Sequence, residues 1–384
     1  MKKATLKLAA LALLIGGIST TTNAQYSANN NINVVTTAVP FLRISPDARA
    51  TGMGETGIAT AADAYSSYWN LGKIPFSKKQ SSVGLTYTPW LSDLNLKDVY
   101  IASLAGFYKL DESQALSLGL RYFSLGEINF TDATGQTLGN QRPREFALDA
   151  GYSRKLGAKS GLGLGVKYIS SNLATGPFNG VTYKRGSTVA ADLHYFHNGV
   201  NEKGEGLNWG ATLSNLGGKV SYTDDNTQKD FIPANLGLGT SYTKVFDEDN
   251  KLTFALDINK LLVPTPDTGL ANITAYRSTS VVSSWGKGLT SAPGGGSEKI
   301  KEFTTAIGAE YWYKDQFAFR AGYFYENPTK GNRRYATVGA GLKYSSLGIN
   351  LAYIFPSGSG ISRNPLSNTI RFSLIFDMDG DDKK

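Results

Sequence analysis

From about Gln80 to Met378 apolar and polar residues alternate at period two, in segments of 9 to 15 residues separated in turn by short and long connections. Period two places successive side chains on opposite faces of a strand. Leu116, Leu118, Leu120 and Tyr122 therefore share one face, and Ser117, Gly119 and Arg121 the other. The division recurs with Phe146, Leu148, Ala150 and Tyr152 against Asp149 and Gly151. It recurs again with Leu252, Phe254, Leu256 and Ile258 against Asp257 and Asn259, and with Ile370, Phe372, Leu374 and Phe376 against Arg371 and Ser373. One face suits lipid and the other water, which is the pattern of a transmembrane β-barrel.

Strands are predicted near 80–89, 98–109, 114–125, 144–155, 160–172, 187–198, 206–216, 232–245, 251–262, 301–313, 316–326, 333–345, 347–356 and 367–377. The fold class is all-β: a 14-stranded antiparallel transmembrane barrel over 79–378, monomeric, with both termini periplasmic because the strand number is even. The short connections, 110–113, 156–159, 199–205, 246–250, 314–315 and 345–346, read as periplasmic turns. The long ones, 126–143, 173–186, 217–231 and above all 263–300, read as extracellular loops. Arg121, Asp149, Lys167, Asp192, Asp257, Glu310, Arg320, Lys343 and Arg371 all lie opposite the apolar stripe of their strand and should line the lumen, paired with one another.

Ahead of the barrel, Lys2, Lys3 and Lys7 precede an apolar run from Leu8 to Ile18, and Thr22-Asn23-Ala24 supplies the small residues of a cleavage site. Residues 1–24 read as a signal peptide, too short in its apolar run to span a bilayer. No other stretch has the roughly 18 apolar residues of a membrane helix, so an integral protein must be a closed barrel. That places the mature chain in the outer membrane of a diderm bacterium, as an integral multi-pass barrel. With no cysteine there is neither a disulfide framework nor a lipid-bearing cysteine.

Composition agrees. The 43 glycines and 21 tyrosines suit a close-packed wall with aromatic girdles, and 18% charged residues is below the ~25% of soluble domains. The net charge of +8 becomes +5 without the three signal-peptide lysines, too small and dispersed for a nucleic-acid face. Its distribution is uneven. The turns and the tail at 379–384 are acidic (Asp111, Glu112, Asp247, Glu248, Asp249, Asp379, Asp381, Asp382), while the long loops are basic (Arg142, Lys184, Arg185, Arg277, Lys287, Lys299, Arg333, Arg334). Ordinary solvated charge explains this, and so does contact of the loops with outer-membrane lipid and lipopolysaccharide phosphates or an acidic partner.

Residues 25–78 do not alternate. They carry Asp47-Ala48-Arg49-Ala50-Thr51-Gly52-Met53-Gly54, Gly57-Ile58-Ala59-Thr60, and Asp63 through Asn70, which includes Trp69. Small residues in this density permit close backbone packing, and with a barrel downstream the segment reads as a hatch or plug against the lumen wall. Arg49, Gly52, Met53, Gly54, Asp63, Trp69 and Asn70 are its candidate packing residues, with Val39 to Phe76 plugging the lumen near its periplasmic end.

At these residues the chain resembles a known family. Val39-Pro40-Phe41-Leu42, the run Asp47 to Gly54, and Gly57, Ala59-Thr60, Asp63, Tyr65-Ser66 and Trp69-Asn70 are similar to the N-terminal signature of PorV, the outer-membrane barrel of the type IX secretion system of Bacteroidetes. More distantly, Arg49-Ala50-Thr51-Gly52-Met53-Gly54 and the Asn70 region resemble the hatch of FadL fatty-acid transporters, with Asn70-Leu71-Gly72 where that family has Asn-Pro-Ala. The PorV resemblance implies a protein that is not an enzyme and needs no cofactor. Its implied partners are the type IX translocon, cargo proteins held by their C-terminal signal domains, and the surface attachment complex with its sortase. The FadL resemblance implies a transporter of hydrophobic small molecules, and that alternative stays open.

Other chemistry is sparse. His194 and His197 are the only histidines, and Asp192 and His194 share a strand face as a conceivable proton-relay pair. No nucleophile elbow or carboxylate cluster at ligand spacing accompanies them, so no catalytic residue or metal ligand is assigned. Gly161-Leu162-Gly163-Leu164-Gly165 resembles a nucleotide loop in spacing alone and sits inside an alternating strand, where a close-packed wall is the expected reading. Partner-binding candidates come from the 263–300 loop: Tyr276, Arg277, Trp285 and Lys287, residue types of interface hot spots. The alternative for that loop is a shield over the barrel mouth.

Overall fold

The computed structural model describes residues 33–379 apart from 92–95, 132–133, 179, 226, 267–269 and 356–367. The expected signal peptide at 1–24, residues 25–32 of the expected hatch and tail residues 380–384 lie outside the described residues.

The strands in chain order are β1 (Ser81–Pro89), β2 (Val99–Lys109), β3 (Gln114–Leu125), β4 (Ile128–Thr131), β5 (Thr137–Gln141), β6 (Arg144–Lys155), β7 (Ser160–Asn172), β8 (Gly176–Phe178), β9 (Val181–Tyr183), β10 (Gly186–His197), β11 (Gly206–Gly217), β12 (Asn235–Val245), β13 (Asn250–Leu261), β14 (Phe303–Tyr313), β15 (Phe317–Tyr325), β16 (Arg334–Tyr344), β17 (Leu347–Ile354) and β18 (Thr369–Met378). Fourteen of them close into one antiparallel barrel, each beside its chain neighbour in the wall, with β1 sealing against β18 from Ser81↔Met378 to Tyr87↔Phe372. The other four form two hairpins, β4–β5 and β8–β9, inside the first two long loops.

The wall follows the alternation. Leu116, Leu118 and Leu120 face outward and are exposed, while Ser117 and Arg121 between them are buried inside. Every strand read from the sequence is present, with each end within three residues of the expected one. Among the described residues no helix is long and apolar enough to cross a membrane.

The N-terminal segment occupies the lumen. Phe41 and Leu42 pack beside Ile101, Phe123, Ala147, Ile169 and Ala190, near the long-loop end. Helix α1 (Ala48–Gly52) lies against β15–β18, helix α2 (Ser66–Trp69) against β2, β3 and β6, and the 3-10 turn Leu71–Phe76 against β6, β7 and β10. That turn reaches Gly161 and Phe196, beside the short turns. The plug therefore runs the length of the barrel and is not confined to the short-turn end as expected from sequence. The expected position of the N-terminus changes with it: Asn33 donates its amide to Thr329 O, in the connection between β15 and β16, and Ala38 to Phe231 O, in the 217–231 loop, both on the long-loop rim, so the described chain begins at the long-loop mouth. At the opposite rim Lys79 and Asp379 pair at 2.6 Å, so the two ends of the described chain lie at opposite rims. A segment without period gives no cue to its direction, which is set by the pockets that receive Val39, Phe41 and Leu42.

The 263–300 connection folds into three helices, α3 (Leu270–Ser278), α4 (Val281–Thr290) and α5 (Gly295–Lys301).

Candidate functional site

The hatch is held by a latch of buried charge. Arg49 donates through Nε and Nη2 to the two Glu310 oxygens at 2.9 and 2.8 Å, and through Nη1 to Asp63 at 2.9 Å. Arg320 meets the same Glu310 at 2.7 Å and donates to Asn350 at 2.9 Å. A two-point guanidinium–carboxylate pair is the strongest side-chain link available, and here it ties α1 to the wall. Trp69 Nε1 donates to Asp47 at 2.8 Å, while the Asp47 carboxylate also caps α1 through Ala50 N at 2.7 Å. Asn70 donates to Ile58 O and to Tyr195 O on β10, and its own oxygen accepts from Gly72 N.

Close approach explains the small residues. Gly54 has φ +68°, and a Cβ there would sit 2.5 Å from Tyr323 N and 2.6 Å from Ile307 O. Met53 is fully buried against Gly308 and Gly322 of the wall. A Cβ on Gly52 would touch Gly339 at 3.0 Å. The glycine face of Gly161-Leu162-Gly163 receives Leu71 and Gly72, where side chains on the wall would come within 2.2 Å of hatch atoms, and Leu164 faces outward. These are packing contacts, as the sequence reading of that run expects.

All nine charged residues expected in the lumen are turned inward and partnered. Lys167 sits 3.3 Å from Asp149 and 3.2 Å from Asp192; Arg121 lies over the Tyr68 ring; Asp257 accepts from Gly57 N and Ile58 N; Lys343 pairs with Asp377; Arg371 donates to Ser45 O. The Asp192–His194 relay is not assembled: Asp192 accepts from Asn215 N and pairs with Lys167, whereas His194 Nδ1 accepts from Leu71 N at 2.9 Å. His194 serves as a seat for the hatch. Among the described residues no group of three His, Cys, Asp or Glu is arranged to hold a metal. The hatch also grips the seam, where the Tyr65, Thr86 and Ser373 hydroxyls form a chain at 2.6 Å per link across β1 and β18, and Ala48 N donates to Ser373.

Above the hatch, at the long-loop mouth, a cavity of about 110 Å³ remains. Its walls are mixed: Arg43, Glu326 and Arg333, the group Lys260, Glu302 and Lys330, and Asn215, Asn235 and Asn259 alternate with apolar surface from Leu42, Ile58, Trp69 and Phe324. Helices α3–α5 close over this mouth. Tyr276 donates to Thr36 O and sets its ring edge-on to Phe231; Arg277 meets Asp230 at 3.0 Å; Lys219 donates to Arg277 O and Thr279 O. Lys260 and Lys299 reach Glu302 at 2.9 and 3.2 Å, and Lys330 pairs with Glu298. Burial pushes the Glu302 carboxyl up, but hydrogen bonds from Thr265 and Lys260 and the charges of Lys260 and Lys299 outweigh it and hold it below the ordinary range. Tyr276 and Arg277 thus hold the lid down. Lys287 is exposed and Trp285 half-buried on α4. Sequence reasoning missed Val282 and Leu289, exposed on the Trp285 side of α4 by their i, i+3, i+7 spacing, while Ser284 and Gly288 face inward.

A closed fourteen-strand wall, an internal hatch and a folded lid define a plugged β-barrel. Residues 27–268 match the family model described as type IX secretion system protein PorV, and the chain belongs to that family, whose members are outer-membrane components of the system. No curated protein sequence matches the chain. Among solved structures it is similar in fold to a monoaromatic hydrocarbon channel, a mutant of TodX (TM-score 0.54, 13% identity, 87% of this chain and 99% of that one). It is likewise similar to the Ralstonia pickettii toluene transporter TbuX (0.52, 11%, 87% and 98%) and the Pseudomonas putida toluene transporter TodX (0.52, 12%, 87% and 99%).

Proposed function

We propose that this protein binds secreted cargo by its C-terminal signal domain at the type IX translocon and delivers it to the surface attachment complex. In this reading the chain is a carrier and not a catalyst. One observation carries the reading beyond the family: the hatch leaves only the small cavity at the mouth, so binding of a protein falls to the outside, and there α4 turns Val282 and Leu289 away from the body of the protein, with Trp285 half-buried beside them. An apolar helix stripe left outward, on a helix that also exposes Lys287, has the make-up of a docking surface. Replacing 270–295 with a short Gly-Ser linker should preserve barrel assembly and outer-membrane fractionation while reducing cargo co-purification and surface display. Wild-type secretion and cargo binding in that strain would move the contact elsewhere.

The fold neighbours support a second reading, a transporter of hydrophobic small molecules. The size of the mouth cavity weighs against it, since about 110 Å³ falls short of the roughly 300–1,000 Å³ of ordinary ligand pockets. Growth of a deletion strain on fatty acids tests it directly.

A further inference from the structure

On the outer face of the wall, strands β6, β7 and β10 carry a column of residues that grades from cationic to apolar. Register places Arg144 opposite Asn172, and Ser171 opposite Gly186, so Arg185 stands level with Asn172 on the neighbouring edge. Two strand spacings separate the arginines, about 10 Å between backbones. One row below come Phe146, Ser170 and Ser187, of which Ser170 is buried and Ser187 exposed; the next row is Leu148, Tyr168 and Val189, followed by Ala150, Val166 and Ala191. Leu148, Tyr168, Val189 and Val166 are exposed, and the Phe146 and Tyr168 rings lie 6.0 Å apart.

Within this part of the rim, charge pairing separates the two arginines from their neighbours. Nearby cations are neutralised: Arg142 by Glu127 at 2.8 Å and Lys184 by Asp224 at 2.8 Å. Arg144 and Arg185 are exposed and have no ion pair or side-chain hydrogen bond among the described residues. Two unpaired guanidiniums at the long-loop rim, the Asn172 amide between them, the Ser187 hydroxyl beneath, and an aromatic then aliphatic surface below match an amphiphile with an anionic head. We propose that this column binds the phosphate of a phosphorylated glycolipid in the outer leaflet, with its acyl chains lying along Leu148, Tyr168, Val189 and Val166. Guanidinium forks fit phosphate with two parallel hydrogen bonds, which suits arginine here better than lysine. The proposal rests on the reading of the long-loop end as the outer-leaflet side.

The test extracts full-length protein from outer membranes in mild detergent and measures co-purifying lipopolysaccharide. The Arg144→Gln/Arg185→Gln variant should retain at least about ten-fold less than wild type, the scale of losing a charge-assisted contact. Its heat-modifiable migration should be unchanged. Arg334→Gln, which removes a cation on another part of the rim, should retain the wild-type amount. In a second arm, protein stripped of lipid should rebind phosphorylated lipid A and not its dephosphorylated form, and millimolar inorganic phosphate should fail to compete. Equal retention by wild type and the double variant overturns the site. Equal binding of dephosphorylated lipid, or full competition by free phosphate, overturns the lipid-phosphate assignment. Secretion assayed in the same strain keeps the two readings separate, because lipid retention can fall while cargo still reaches the surface.

Discussion

Arg49 and Glu310 stand 261 positions apart in the chain and meet in a two-point ion pair, with N–O distances of 2.9 and 2.8 Å. Glu310 is 2% exposed, so its charge depends on its partners. Removing one partner of a buried pair costs roughly 3–5 kcal/mol, and because Arg320 still reaches Glu310 the lower end applies. Arg49→Ala should therefore destabilise hatch seating by about 3 kcal/mol, and Arg49→Lys by less. Thermal unfolding in detergent, followed by heat-modifiable migration, reads the difference. A variant as stable as wild type would show that the latch contributes nothing.

Gly54→Leu should be worse tolerated than Gly52→Ala. A left-handed φ costs a side chain about 1–2 kcal/mol, and overpacking adds about 1–3. At Gly54 both apply, whereas at Gly52 the contact is only marginally too close. Pore conductance in planar bilayers should rise for Gly54→Leu as the hatch loses its fit. Unchanged conductance and migration would count against a close-packed plug.

Lid docking should depend on pH through Glu302. Its folded value lies below the ordinary 4.5, so its ion pairs contribute stability that is present above that value and is lost as pH falls through the depressed one. Proteolysis within 263–300 should be slow at pH 5.5 and above and should speed up below about pH 4. Glu302→Gln should abolish that dependence and leave the loop cleavable at neutral pH.

The two faces of α4 should separate by mutation. Val282→Asp with Leu289→Asp is expected to lower cargo co-purification several-fold while the lid stays protease-resistant, because both side chains are exposed. Tyr276→Ala should do the reverse, loosening the lid by removing its bond to Thr36 O and its packing on Phe231. A matching response from both variants would mean that lid closure, not the outward stripe, controls binding.

The barrel strands were legible because a wall between lipid and a polar lumen leaves each residue one of two environments, and Leu118 beside Arg121 shows the rule in four positions. Hairpins β4–β5 and β8–β9 were not, since both their faces are wet and Asn129 or Thr182 gains nothing from alternating. The lid helices hid for a related reason: α4 buries Ser284 and Gly288 and exposes Val282 and Leu289, the opposite of the burial that helical periodicity leads one to expect. In the hatch, sequence marked Arg49, Gly54, Trp69 and Asn70 but not their partners. Glu310, Tyr323, Asp47 and Tyr195 are set by tertiary register, which no local pattern contains.

The hydroxyl chain from Tyr65 through Thr86 to Ser373 spans the one join in the wall that links the first strand to the last. Closing the ring requires those two strands to meet, and the plug offers a polar rung to each of them. The hatch thus has the contacts of a mandrel as well as a stopper: a rod that touches both edges of the join can set the circumference at which they meet. Lesions in the rod should surface first as slow or open-seamed barrels during biogenesis, before any question of leakage through a finished one arises.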